Sequence, residues 1–243
     1  MENSNSILKD KNILIAGGSS GMGFEIAKKV LEEGAIVHLV SSNIEKLEKA
    51  KIALGIENVY VHVLDISDET SVIELASKIE KLDHLVTTAA RLTFKPLAEL
   101  SRNEISQMID AKLWGPLLLT KYLAPKLASD GSIVYFSGVA ADKGGAGASV
   151  VGAVNSALHG LAKNLVYELS PIRVNVVSPG IVQSPTWDFM DKADQDQLFE
   201  SAAEGLPAKR IGQPTDLAET ALYLIKNKYT NGTVITVDGG ANA

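Results

Sequence analysis

The 243-residue sequence predicts an α/β fold: a parallel sheet of about seven strands, doubly wound, with helices on both faces. Three observations predict it. Seven apolar runs of strand length recur along the chain, helix-compatible segments separate them, and most runs are continuous rather than alternating, as strands buried on both faces require. Repeated strand–helix alternation joins parallel strands through right-handed crossovers. With 46% hydrophobic residues the chain can bury one large core, so a single domain over residues 1–243 is expected.

In chain order, strands are expected at residues 12–16, 35–40, 59–64, 84–88, 132–137, 173–178 and 233–237. Helices are expected at 21–33, 44–54, 69–81, 103–128, 149–170 and 216–226, several with Ser, Asn or Asp near their starts. No repeat or low-complexity linker interrupts the series. Residues 181–212, rich in Asp, Gln and Pro, are the least regular stretch and follow a late strand. Ligands sit beyond the carboxyl ends of strands in open α/β sheets, so this stretch is expected to act as a lid over a substrate.

Composition excludes several classes. A formal charge of -6 without a Lys/Arg run argues against nucleic acid, whose phosphates require clustered positive charge. No apolar run reaches the ~18 residues of a membrane span, and the polar start MENSNSILKDKN is unlike a secretion signal, so a cytoplasmic protein is expected. The chain has no cysteine, and its four histidines show no paired ligand spacing, so no metal site is assigned.

The segment ILIAGGSSGMG, residues 13–23, joins an apolar strand to a helix, the context of a phosphate-binding turn. Gly17 suits the tight turn, Gly21 close backbone approach and Gly23 helix packing, with Ser19, Ser20 and Met22 between them. The G-x-x-x-G-x-G spacing resembles the short-chain dehydrogenase/reductase family, and the resemblance runs along nearly the whole chain through HVLDISD, HLVTTAA, GSIVYFS, IRVNVVSPG and GTVITVDGG. It implies a Rossmann-like sheet and a nicotinamide dinucleotide. Asp65 and Ile66 would flank the adenine, Thr88, Ala89 and Ala90 would form the strand-four wall, and Pro179, Gly180, Val182 and Ser184 the nicotinamide-amide loop.

Cofactor choice is read after the second strand, where VHLVSSN places Ser41 and Ser42. An acid there would bind the ribose hydroxyl of NAD, and an Arg the 2′-phosphate of NADP. Two hydroxyls donate to a phosphate without the repulsion of an acid, which favours NADP(H), with NAD(H) as the alternative. The competing reading is that both serines only cap the helix at Ile44.

At the catalytic positions the sequence departs from the family. The resemblance implies an Asn in the fourth helix, a Ser after strand five, and a Tyr and Lys one turn apart in the next helix. Lys112, Gly138, Val151 and Asn155 fall at those places, and Ser137 stands one residue early. No tyrosine lies between Tyr135 and Tyr167, so no slip of register restores the site. Tyr122 and Lys126 match Y-x-x-x-K but precede strand five beside Pro125 and read as a helix end. Lys112 is the candidate replacement, able to reach the vacated space or stand as a solvated helix charge. Ser137 and Ser149 are candidates for binding a carbonyl at the pocket mouth, although a hydroxyl is a poor acid near neutral pH. His159 and Tyr135 read as packing residues.

Two functions stay open: a divergent NADP(H)-dependent oxidoreductase acting on a small carbonyl or alcohol through an unusual proton donor, and an NADP(H)-binding sensor or partner subunit without turnover. Residues 103–128 and 149–170 carry more apolar side chains than one sheet-facing stripe accounts for, and family members pair these helices across a two-fold axis. A homodimer or homotetramer is therefore expected. Light scattering at micromolar concentration should give a dimeric or tetrameric mass, and a monomeric mass would refute it.

Overall fold

A computed structural model describes residues 6–243. Its sheet has seven strands, all parallel, in the order β3-β2-β1-β4-β5-β6-β7. They are β1 (Asn12–Ala16), β2 (Ile36–Ser41), β3 (Val59–Val63), β4 (Leu82–Thr87), β5 (Leu127–Phe136), β6 (Arg173–Pro179) and β7 (Val234–Val237). The chain runs outward from β1 to β3, then returns to lay β4 on the other side of β1. That reversal opens a crevice at the carboxyl ends of β1 and β4, where ligands bind in such sheets.

The helices are α1 (Gly21–Glu32), α2 (Ile44–Leu54), α3 (Glu69–Lys78), α4 (Arg102–Ile109), α5 (Gly115–Leu123), α6 (Ser149–Glu168), α7 (Lys192–Gly205) and α8 (Pro214–Lys226). Side chains of α1, α2 and α8 cover one face of the sheet in a cluster with Ile13, Ile15, Val37, Leu39 and Val177. Side chains of α3, α5 and α6 cover the other with Leu14, Leu85, Ile133, Tyr135 and Val176. Alternate residues of one strand thus enter opposite clusters, which is why the strands read as unbroken apolar runs.

Three expectations are corrected. The helix expected over 103–128 is broken: α4 ends at Ile109, a π-helical turn occupies Asp110–Trp114, and α5 follows. A 3-10 turn at Ala124–Lys126, containing Pro125, then ends the segment, and β5 begins at Leu127, five residues before its expected start. Helix α3 stops at Lys78, because the backbone turns extended at Ile79 and β4 begins at Leu82. Within the irregular stretch 181–212, Lys192–Gly205 forms α7, capped by Asp191, whose side chain accepts from Asp194 N–H at 2.9 Å. No residue of α7 is buried, so no apolar stripe marked it in the sequence.

Two buried charges tie the layers together. Asp83 accepts from Lys11 Nζ and from the Asn12 backbone N–H, each at 2.9 Å, joining β4 to the entry of β1. Arg173 on β6 donates to the carbonyls of Leu224 at 2.6 Å and Ile225 at 2.8 Å. These are C-terminal carbonyls of α8, which lack intrahelical donors. The guanidinium thus pins α8 to the sheet while completing its hydrogen bonds.

Replacing Arg173 by Leu leaves both carbonyls without their donor at a buried site, and each such orphan costs roughly 1–3 kcal/mol. Urea unfolding should show Arg173→Leu destabilised by about 3 kcal/mol, with Arg173→Lys intermediate; an unchanged midpoint would refute the capping role.

Candidate active site

A cleft of about 530 Å³ opens at the carboxyl ends of β1, β2 and β4. The turn between β1 and α1 forms its floor. Gly17 has φ +84, and a side chain there would stand 2.6 Å from Ala89 N. A Cβ on Gly23 would stand 2.3 Å from the carbonyl oxygen of Gly17. The first turn of α1 is therefore folded against its own approach loop, a contact only hydrogen allows. Ser20, the residue before α1, makes no side-chain cap, leaving the helix's first N–H groups to be satisfied at the cleft.

The wall of the cleft gathers most of the expected cofactor residues: Gly17, Ser19, Ser20, Gly21, Met22, Gly23, Ser41, Ser42, Asp65, Ile66, Thr88, Ala89, Ala90 and Ser184. Pro179, Gly180 and Val182 do not reach that wall. Pro179 ends β6, Gly180 lies against Asp238, and Val182 is 3% exposed in the core with a parallel bridge to Gly212. Capping of α2 belongs to Asn43, whose Oδ1 accepts from Lys46 N–H at 2.8 Å, so the reading of Ser41 and Ser42 as the caps is corrected. Ser41 instead accepts from Asn43 N–H at 3.3 Å. Asp65 accepts from the backbone N–H and hydroxyl of Ser67 at 2.9 and 2.7 Å, which stiffens the turn after β3.

Beyond the nucleotide-sized wall, polar groups collect around the Ser137–Gly138 peptide. Lys112 projects from the π-helical turn and donates to the Ser137 carbonyl at 3.1 Å. It is 5% exposed, and burial pulls its pKa down from 10.5 to about 8. The solvated-charge reading of Lys112 is thereby corrected. Lys112 is the buried residue of the π turn, a helix irregularity that is frequent at functional sites. Ser137 is buried rather than at the pocket mouth, its Oγ 2.8 Å from His159 Nε2 and 3.3 Å from the Val177 carbonyl. His159 therefore holds Ser137 as well as packing α6. Val151 and Asn155 are both 2% exposed, and Asn155 Oδ1 has no partner among the described residues. A Cβ on Gly138 would lie 2.9 Å from Asn155 Nδ2, so these two positions are packed against one another. Tyr135 is fully buried, its hydroxyl 2.6 Å from Thr120 Oγ1.

Several wall residues lie outside the motifs read in the sequence. Lys46, Arg91, Gln107 and Thr186 all line the cleft. Lys46 lies in the first turn of α2 and reads as a surface lysine, though its spacing from Ser41 and Ser42 was a usable clue. Among the described residues no three His, Asp or Glu side chains converge as a metal would require. No helix among them is long and apolar enough to cross a membrane.

Residues 16–242 match the family model described as Enoyl-(Acyl carrier protein) reductase. The short-chain dehydrogenase/reductase malC of Malbranchea aurantiaca is 31% identical over 98% of this chain and 96% of that protein. The chain belongs to the short-chain dehydrogenase/reductase family. Human dehydrogenase/reductase SDR family member 4 is 30% identical over 96% of this chain and 88% of its own length. Among solved structures, a small-chain dehydrogenase in complex with NADPH is 34% identical, covers 96% of this chain and 99% of its own, and superimposes with a TM-score of 0.85. The family relationship agrees with the sheet order and with a cleft at the β1–β4 switch point.

The buried ammonium makes a stability prediction. Folding lowers the Lys112 pKa from 10.5 to about 8, so the unfolded chain binds more protons across that window and the wild type gains stability as pH rises through it. Below about pH 8 the penalty is fully present. Lys112→Met should stabilise the protein at pH 7 by about 2 kcal/mol, after allowing for the lost bond to the Ser137 carbonyl. By pH 10.5 the penalty is nearly gone and the lost bond should leave the variant about 1 kcal/mol less stable than the wild type, and paired urea titrations at the two pH values check the reversal.

Proposed function

We propose that the protein is an NADP(H)-dependent oxidoreductase that interconverts a small carbonyl compound and its alcohol, with Lys112 replacing the family's usual proton donor. We read Gly138, Val151 and Asn155 as standing at the family's Ser, Tyr and Lys positions. The observation that carries the proposal is Lys112 itself, an ammonium at the end of β5 whose neighbours Asp110 and Ala111 line the cleft.

The cleft residues suit a dinucleotide phosphate. The close-packed glycines 17 and 23 and the uncapped start of α1 offer backbone N–H groups to a pyrophosphate. Ser41, Ser42 and Lys46 line the cleft beyond the end of β2 and offer two hydroxyls and an ammonium to a 2′-phosphate, while the carboxylate of the neighbouring β3 turn, Asp65, is engaged by Ser67. The NADPH in the small-chain dehydrogenase complex, a 34% identical relative, supports the same choice. Asn155 Oδ1, buried without a donor, is an acceptor for a ribose hydroxyl.

A bound nicotinamide supplies or accepts the hydride. Lys112 holds the proton that the reacting oxygen needs, and its lowered pKa makes it a far stronger acid than an ordinary lysine. The Ser137 carbonyl fixes the ammonium, and His159 together with the Val177 carbonyl fixes Ser137. A second reading, an NADP(H)-binding sensor or partner subunit without turnover, is favoured by the 5% exposure of Lys112. The exposed Ile109 and Trp114, beside the α4–α5 break, support assembly as a homodimer or homotetramer.

Calorimetric titration should show NADPH binding in preference to NADH; no binding at millimolar concentration, or preference for NADH, would overturn the assignment. Carbonyl reduction needs Lys112 protonated, so kcat should be flat below about pH 8 and fall tenfold per unit above it, with alcohol oxidation showing the opposite limb. Lys112→Ala should lower reduction by ~10²–10⁴ while leaving NADPH affinity unchanged. Wild-type turnover that survives this substitution would exclude Lys112 as the donor.

A further inference from the structure

Four aromatic side chains on three separate segments meet one another beside residues that line the cleft. Phe94 comes from the loop after β4, Trp187 and Phe189 from the loop after β6, and Phe199 from α7. Three of the chain's five phenylalanines and one of its two tryptophans are in this group, in a protein with only 5% aromatic residues. Phe94 and Trp187 stack with centroids 5.7 Å apart and planes 14° apart. Phe199 meets the indole edge-on at 6.4 Å, and Phe189 lies tilted at 6.4 Å.

The group adjoins the cavity through its chain neighbours. Arg91 lines the cleft three residues before Phe94, and Thr186 lines it immediately before Trp187. The indole is held in place: its Nε1 donates to the Val182 carbonyl at 3.0 Å, and the Trp187 carbonyl accepts from Gln195 Nε2 at 2.8 Å. The Phe94 loop is anchored separately, through Lys95 N–H to the Gly147 carbonyl at 3.0 Å. The two stacked rings thus stand on independently supported walls. Apolar burial does not account for the group, since Phe189 is 65% exposed, Phe94 is 37% exposed and α7 buries no residue in the core.

We propose that Phe94 and Trp187 form an aromatic clamp and that the substrate of this site carries a planar, conjugated ring held between them, with its carbonyl directed into the cleft. The proposal rests on the oxidoreductase reading for the carbonyl but not for the ring. An aromatic ligand exchanges one offset-stacked contact for two, and ring pairs prefer such stacking or edge contacts beyond their burial of area. A saturated ring of the same size buries similar area without that gain. Binding requires the Phe94 ring to swing aside by about one ring thickness while the indole keeps its bond to the Val182 carbonyl, and Phe94, 37% exposed, has an open side for that movement.

The experiment uses the full chain with Trp114→Phe, which leaves Trp187 as the sole tryptophan, and NADP⁺, which prevents reduction. Trp187 emission is followed while 2-acetylnaphthalene or its saturated counterpart, 2-acetyldecalin, is added. The naphthyl ketone should quench the emission and bind about tenfold more tightly than the decalin. Phe94→Leu should erase that preference while leaving the weaker decalin binding and the circular-dichroism spectrum unchanged. Equal affinities for the two ketones, or a preference that survives Phe94→Leu, would overturn the clamp. A separate NADPH titration of the same variant reads the dinucleotide site. Ring preference without NADPH binding upholds the clamp and counts against the oxidoreductase reading, while NADPH binding without ring preference does the reverse.

Discussion

The carbonyl oxygen of Ala16, last residue of β1, accepts from Thr88 N–H at 2.8 Å, from Ala89 N–H at 3.1 Å and from the Thr88 hydroxyl at 3.1 Å. This convergence holds the end of β4 against the end of β1 at the point where the sheet reverses direction. It brings Ala89 so close to Gly17 that no side chain fits there, and Gly17 in turn receives the first turn of α1 at Gly23. The floor and one wall of the cleft are consequences of that single acceptor. Loosening it would open the glycine turn and move the strand-four wall together.

A second group of contacts radiates from β5. The Ser137 carbonyl receives Lys112, its hydroxyl meets His159, and the neighbouring Gly138 leaves room for Asn155. The two groups are organised by opposite physics. At the glycine turn, backbone groups face the cleft and side chains are excluded. Around β5, side chains are sealed from water, and burial lowers the pKa of the one cation among them. A site so divided presents exposed backbone dipoles at one end and a desolvated ammonium at the other.

The legible parts of the sequence were those where backbone demands or strand burial leave few residue choices. Continuous runs such as ILIA and IVYF announce strands packed on both sides, and the spaced glycines announce a turn that cannot carry side chains. The break at Asp110–Trp114 was not legible, because Asp-Ala-Lys-Leu-Trp contains neither Pro nor Gly and continues a helical pattern. The burial of Lys112 depends on a carbonyl 25 positions away, and lysine ordinarily belongs to the surface. Lys46 and Arg91 were missed for the same reason. Helix α7 was invisible because nothing in it faces the core.

That last property has a consequence for how the protein can diversify. Substitutions in a segment without core contacts leave the unfolding free energy of the sheet nearly unchanged, so they escape the stability threshold that removes most changes elsewhere. That segment can accordingly accept many sequences without loss of the fold, whereas the strands, buried on both faces, tolerate few. New surface chemistry can arise there by single steps, each tolerated by the fold before it is useful.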